Sequence, residues 1–95
     1  LYNTISGATF ASAASEFYSK AQSEYSKSDY ETAAEDYAKA FRCDSTNVNA
    51  AYYAAKCYVA LSQTDNAKKY YEYIVNDFKT SGYYREAENM CHHIN

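Results

Sequence analysis

Apolar residues recur along this chain at steps of three and four, and small polar clusters interrupt them. Phe17, Ala21 and Tyr25 follow one another at steps of four, and Ala33, Tyr37 and Phe41 do the same. Ala51, Ala54, Ala55, Tyr58 and Leu61 share one helical face, as do Ala67, Tyr71, Ile74 and Phe78. Tyr84, Ala87, Cys91 and Ile94 form a last stripe. That spacing belongs to helices that bury one face. The stripes stop at Ser26-Lys27-Ser28-Asp29, Cys43-Asp44-Ser45-Thr46-Asn47, Ser62-Gln63-Thr64-Asp65 and Thr80-Ser81-Gly82. Ser28 or Asp29 is suited to cap the helix that follows. The pattern predicts five helices, at about 10–26, 29–43, 47–61, 65–78 and 82–94, with residues 1–9 as a frayed lead-in. Connections this short join antiparallel neighbours.

Displaced by 34 residues, the sequence matches itself. Tyr18 falls on Tyr52, Ala21 on Ala55, Ser28 on Ser62, Ala33 on Ala67 and Tyr37 on Tyr71. Ala40 meets Ile74 and Phe41 meets Val75. A period of 34 is the length of a helix–turn–helix repeat unit. Ala21 and Ala55 fall in the middle of the first helix of each pair, and Ala33 and Ala67 fall early in the second. Two helices approach closely where one side chain at the crossing is small. Tyr37 and Tyr71 then fill the space beside each crossing.

Composition changes the picture in one respect. Leu, Ile, Val and Phe number only twelve in 95 residues, a level that by itself suggests disorder. Sixteen Ala and 13 Tyr take their place. Ala is the strongest helix former, and Tyr supplies a large buried ring with one polar tip. With no Pro and two Gly, little in the interior breaks helices. The expectation is one small all-α domain with a modest core. The net charge of -3 argues against a nucleic-acid surface and against a polybasic membrane anchor. The longest mostly apolar stretch, Ala50–Leu61, contains Lys56 and falls short of the about 20 residues that a spanning helix needs. The chain opens on Leu1-Tyr2-Asn3, which reads as a fragment of a longer protein.

Candidate chemistry is sparse. Cys43, Cys57 and Cys91 are spaced by 14 and 34, which fits no zinc pattern and leaves one thiol over after any disulfide. Cys91-His92-His93 invites a metal or a Cys–His nucleophile. Neighbours on a helix point about a hundred degrees apart, so the three do not converge. Cys91 lies on the apolar stripe and reads as a buried structural thiol, with His92 and His93 solvated. The run Lys68-Lys69-Tyr70-Tyr71-Glu72-Tyr73 resembles a stacking platform for single strands, but Glu72 and the negative total oppose that. Glu31, Glu35 and Asp36 read as a solvated helix face. No phosphate loop, paired-carboxylate pocket or Ser-His-Asp set is legible, so no enzymatic activity, metal or cofactor is expected.

The repeated residues resemble the tetratricopeptide repeat family. Its pattern is met by Ala21, Ser28-Asp29-Tyr30, Ala33, Tyr37, Ala40 and Asp44-Ser45 in one copy. The second copy supplies Ala55, Ser62-Gln63-Thr64, Ala67, Tyr71 and Ile74. The resemblance covers residues 14–78. Phe78, Thr80-Ser81 and Ala87 extend it toward a bacterial subgroup of Tol-associated periplasmic proteins and outer-membrane assembly lipoproteins. Ser45 and Lys79 stand where the family has Pro, and Ser28 and Ser62 where its turn has Gly.

The resemblance implies a right-handed stack of antiparallel helix pairs. Repeat 1 would span about 14–47, repeat 2 about 48–79 and a C-terminal capping helix about 82–94. A stack of this kind has a concave groove lined by the first helix of each pair. The family's groove positions fall on Tyr18, Gln22 and Tyr25, then on Tyr52, Lys56 and Val59. Both sets are spaced by four and three, so each shares a helix face. Two rows of Tyr, amide and ammonium suit an extended peptide or a partner helix, with packing as the competing role for the tyrosines. The chaperone-tail clamp of some family members is not implied, because Tyr18, Gln22 and Tyr53 occupy its positions. The expected function is a protein-binding adaptor or assembly scaffold, with the compartment left open and a bacterial extracytoplasmic or envelope-associated one favoured over the cytoplasm. The alternative is a self-association or spacer module, with Tyr83, Tyr84 and Met90 of the last helix packing on a second copy. The expected partner is a protein or peptide, or another copy of the chain, with no nucleic acid.

Overall fold

The computed structural model describes residues 2–94, with side chains described for residues 13–93. The fold is all-α. Its helices are α1 (Tyr2–Ser26), α2 (Tyr30–Cys43), α3 (Val48–Ala60), α4 (Thr64–Asp77) and α5 (Tyr84–Ile94). Each helix packs on the one before it, and the short links between them force the chain to reverse at each. No helix among the described residues is long and apolar enough to cross a membrane.

One expectation is corrected. Residues 2–9, read as a frayed lead-in, continue α1 as helix. The polar residues there lack the Pro or paired Gly that would end a helix, and Ala8, Ala11, Ala13 and Ala14 favour it. α5 opens two residues later than expected, after a turn in which Ser81 N–H donates to the Phe78 carbonyl at 3.0 Å. The side chain of Ile94, placed on the last apolar stripe, lies outside the described residues.

The polar clusters end and start helices by identifiable bonds. At the end of α1, Ser28 N–H donates to Tyr25 O at 3.0 Å and Asp29 N–H to Glu24 O at 2.9 Å. At the end of α3, Ser62 N–H donates to Val59 O at 3.0 Å and Gln63 N–H to Tyr58 O at 2.8 Å. This pair of bonds is the Schellman motif, which puts one residue in the left-handed region. Ser28 at φ 64° and Ser62 at φ 61° are those residues. The Asp29 carboxylate then caps α2 by accepting from Thr32 N–H at 3.5 Å, and Asn47 Oδ1 caps α3 by accepting from Ala50 N–H at 3.2 Å. Between α2 and α3, Asp44 Oδ1 accepts from Thr46 N–H at 3.1 Å, so a side-chain turn shapes the link that carries Ser45.

Alanine and tyrosine divide the core as the composition requires. Ala21, Ala33, Ala55 and Ala67 are completely buried at the helix contacts, as are Ala40, Ala50, Ala51 and Ala54. Tyr37, Tyr71, Ile74 and Cys57 are the largest fully buried side chains. Tyr37 stacks on Tyr53 at 5.5 Å between centroids and meets Tyr18 edge-on at 5.6 Å, which ties α2 to α3 and α1. Phe41 collects Tyr70 and Tyr73 of α4 and Phe78 beyond it. Aromatic pairs of this geometry contribute about 0.5–1.5 kcal/mol each beyond area burial. A core poor in Leu and Ile is therefore held by ring–ring contacts.

Candidate functional site

The residues expected to line a groove sit on α1 and α3, and α5 joins them. Tyr52 and Lys56 are one turn apart on α3. The Tyr52 hydroxyl donates to the Glu86 carboxylate, 2.9 Å from each oxygen, and accepts from Lys56 Nζ at 3.3 Å. Lys56 Nζ also lies 3.9 Å from Glu86 Oε2. Glu86 stands in the first turn of α5, where the helix dipole favours a carboxylate. The Tyr52 ring is stacked on Tyr83 at 4.0 Å with 9° between planes, and the Tyr83 hydroxyl donates to Asn49 Oδ1 at 2.6 Å.

Both hydrogen-bonded pairs between these elements, Tyr52–Glu86 and Asn49–Tyr83, are separated by 34 residues. At both places residues 34 apart in the chain lie side by side. Tyr18 is half-buried on α1. Burial pushes its hydroxyl above the usual tyrosine range, and the Tyr53 and Tyr83 hydroxyls add to the effect. The Tyr52 ring stands between Tyr53, which it meets edge-on at 5.1 Å, and Tyr83 in the turn before α5. Tyr25 meets Tyr30 and Tyr53 edge-on, both at 5.5 Å.

The six expected groove residues divide into two groups. Tyr52 is only 7% exposed, and Tyr18, Tyr25 and Lys56 are half-buried among other side chains. Gln22 is exposed, and Val59 is the one large hydrophobic residue exposed among those described, at 37%. Three further residues, Tyr53, Tyr83 and Glu86, complete the arrangement. Glu86 and Tyr83 were legible in principle, because one more step of 34 from Tyr52 and Asn49 reaches them. The break in the apolar stripe at Gly82 concealed that correspondence.

At neutral pH this face presents hydrogen bonds and aromatic surface. Burial and the Glu86 carboxylate push the Tyr52 hydroxyl above its ordinary range, against the opposing pull of Lys56, so Tyr52 stays a neutral donor. The Tyr52 hydroxyl holds the Lys56 ammonium above its usual value, so Lys56 stays charged. The thiols point the same way. Burial pushes Cys57 up to about 12 and raises Cys91, where Glu72 adds to the effect and Lys68 opposes it. Thiols so shifted are poor nucleophiles. His92 and His93 are exposed, and among the described residues no group of three or more His, Cys, Asp or Glu is placed to hold a metal ion.

A second group of carboxyls is buried between α1 and α2. Asp36, expected on a solvated face, is only 3% exposed. Its sequence neighbours explain the error, because Glu31 and Glu35 on the same helix are exposed. Asp36 Oδ2 and Glu24 Oε1 are buried without a hydrogen-bond partner, and Lys20 Nζ stands 3.9 Å from that Asp36 oxygen. Burial pushes the Glu24 carboxyl up to about 7, with the Asp36 carboxylate adding to the rise and Lys20 opposing it. A proton held by Glu24 spares it the cost of a buried charge beside another carboxyl.

No protein-family model matches the chain, and no curated protein sequence matches it.

Proposed function

We propose that this chain is a protein-interaction module built as a tetratricopeptide-like stack of helix pairs. Its partner is a peptide or helix bound along the face shared by α1, α3 and α5. The observation that carries this reading is the pairing of residues 34 apart, Tyr52 with Glu86 and Asn49 with Tyr83. Such pairing is what a one-dimensional stack of 34-residue units produces. The left-handed serines at 28 and 62, at the family's turn-glycine positions, support the same repeat.

The face is preformed. Tyr52, Lys56 and Glu86 hold one another, so little side-chain freedom remains to be lost when a partner docks. The accessible contacts are Gln22 and Val59, with the tyrosine edges behind them as anchors. The self-association reading is less favoured, because Tyr83, which it needs at the surface, is stacked on Tyr52 and bonded to Asn49.

The test uses the exposed positions. The protein and its Gln22→Glu/Val59→Glu variant are immobilised side by side and exposed to a cell extract. Retained proteins are identified, and direct binding of each is then measured. A partner that binds the parent directly and loses at least about tenfold in affinity to the variant, at unchanged helical content, supports the reading. Equal binding by both forms removes the groove assignment.

A further inference from the structure

A cavity of about 430 Å³ opens on different residues from those just described. Glu35, Lys39 and Arg42 of α2, Tyr58 near the end of α3, and Lys69 and Tyr70 of α4 line it. Its size falls in the range of small-molecule sites. Its charge runs against that of the molecule. The chain carries a net charge of -3, yet three cations and one carboxylate share this one cavity.

The cations are not neutralised from within. Among the described residues neither Arg42 nor Lys69 forms an ion pair. Lys39 Nζ rests 5.6 Å from the Phe17 ring centroid instead of on a carboxylate. The rings of Tyr58 and Tyr70 stack at 5.7 Å with 19° between planes and form a firm wall. Burial raises both hydroxyls above the usual tyrosine range, and the Arg42 charge opposes the rise at each. Arg42 and the two neutral tyrosines line the same cavity.

We propose that this cavity binds the phosphate monoester group of a small molecule. The reason lies in charge and donor count. Three cations against Glu35 leave two positive charges, which one carboxylate cannot balance. A phosphate monoester carries about -1.5 to -2 at neutral pH and offers three acceptor oxygens. Arg42 matches it as a two-pronged donor, and the lysines act as point charges. Glu35 is the acceptor in the set and faces a hydroxyl or ammonium elsewhere on the ligand. A soluble ester and a lipid headgroup share this chemistry.

The experiment is a two-dimensional NMR titration of the 95-residue protein with glycerol 3-phosphate, with glycerol as control. In parallel, sedimentation is measured with phosphatidylcholine vesicles with and without phosphatidic acid. Arg42→Ala/Lys69→Ala is the test variant, since both residues are exposed, and its helical content is checked against the parent by circular dichroism. Saturable shifts at Arg42, Lys69, Tyr58 and Tyr70 with glycerol 3-phosphate, weakened at least about tenfold in the variant, support a site for a soluble ester. A response confined to phosphatidic acid vesicles and lost in the variant supports a headgroup site. Glu35→Gln strengthens either response. No response to either probe, or equal binding by the folded variant, overturns the proposal.

Discussion

Tyr52 and Glu86 stand 34 residues apart and meet through one hydroxyl, which lies 2.9 Å from both oxygens of the carboxylate. The bond joins the middle of α3 to the first turn of α5, two helices separated by the whole of α4. Lys56 closes the group from one turn away. A buried phenol thereby finds its acceptor, and α3 gains a tie to α5. Leaving that hydroxyl unpaired would cost about 1–3 kcal/mol.

Removing either partner therefore destabilises the protein, and removing both costs less than the sum. Glu86→Ala and Tyr52→Phe, alone and combined, are expected to show a coupling of about 1 kcal/mol in chemical denaturation. Purely additive effects would mean that the bond contributes nothing to stability.

Ser28 and Ser62 hold positive φ at the ends of α1 and α3. A side chain in that region costs roughly 1–2 kcal/mol, which glycine avoids at some loss of chain entropy. Ser28→Gly and Ser62→Gly should each raise stability by about 0.5–1 kcal/mol. Thermal melting of the single and double variants checks this. Destabilisation by either change would contradict the strain argument.

The Glu24–Asp36 pair makes stability depend on pH. The folded Glu24 carboxyl titrates near 7, against 4.5 for an unperturbed glutamate. A raised carboxyl contributes its stability fully below the unfolded value and loses it as pH rises through the folded one. Between about pH 4.5 and 7 this group's contribution therefore falls. Glu24→Gln carries no charge at any pH. The variant should gain on the parent as pH rises across that window, read as a growing difference in denaturation midpoints. A pH-independent difference would show that Glu24 does not titrate across that window.

Ala67 is completely buried where α4 crosses its neighbour. Ala67→Leu adds three carbons to a site with no room and should cost about 1–3 kcal/mol. Ala60→Leu, on the exposed end of α3, is the matched control and should leave the melting temperature nearly unchanged. Equal melting of the two variants would place Ala67 outside the crossing.

Local periodicity carried most of the helix assignment. Each stripe, from Phe17–Tyr25 to Tyr84–Cys91, needed only the spacing of apolar residues along one helix, which is a property of neighbours in the chain. The offset of 34 likewise placed Ala21, Ala33, Ala55 and Ala67 at positions that are buried. The sequence alone thus determined an all-α chain, its helix order and its small-residue contacts. Only the tertiary structure decided how far α1 extends, because helix-compatible polar residues such as Asn3 and Ser6 carry no apolar stripe. It alone buried Asp36 against Glu24, set Glu86 under the Tyr52 hydroxyl, and collected Lys39, Arg42 and Lys69 around one cavity. Each of these depends on the rotation of one helix against another. That rotation is fixed by the fit of tyrosine rings between alanines, a property of packed surfaces that no single stretch of chain encodes.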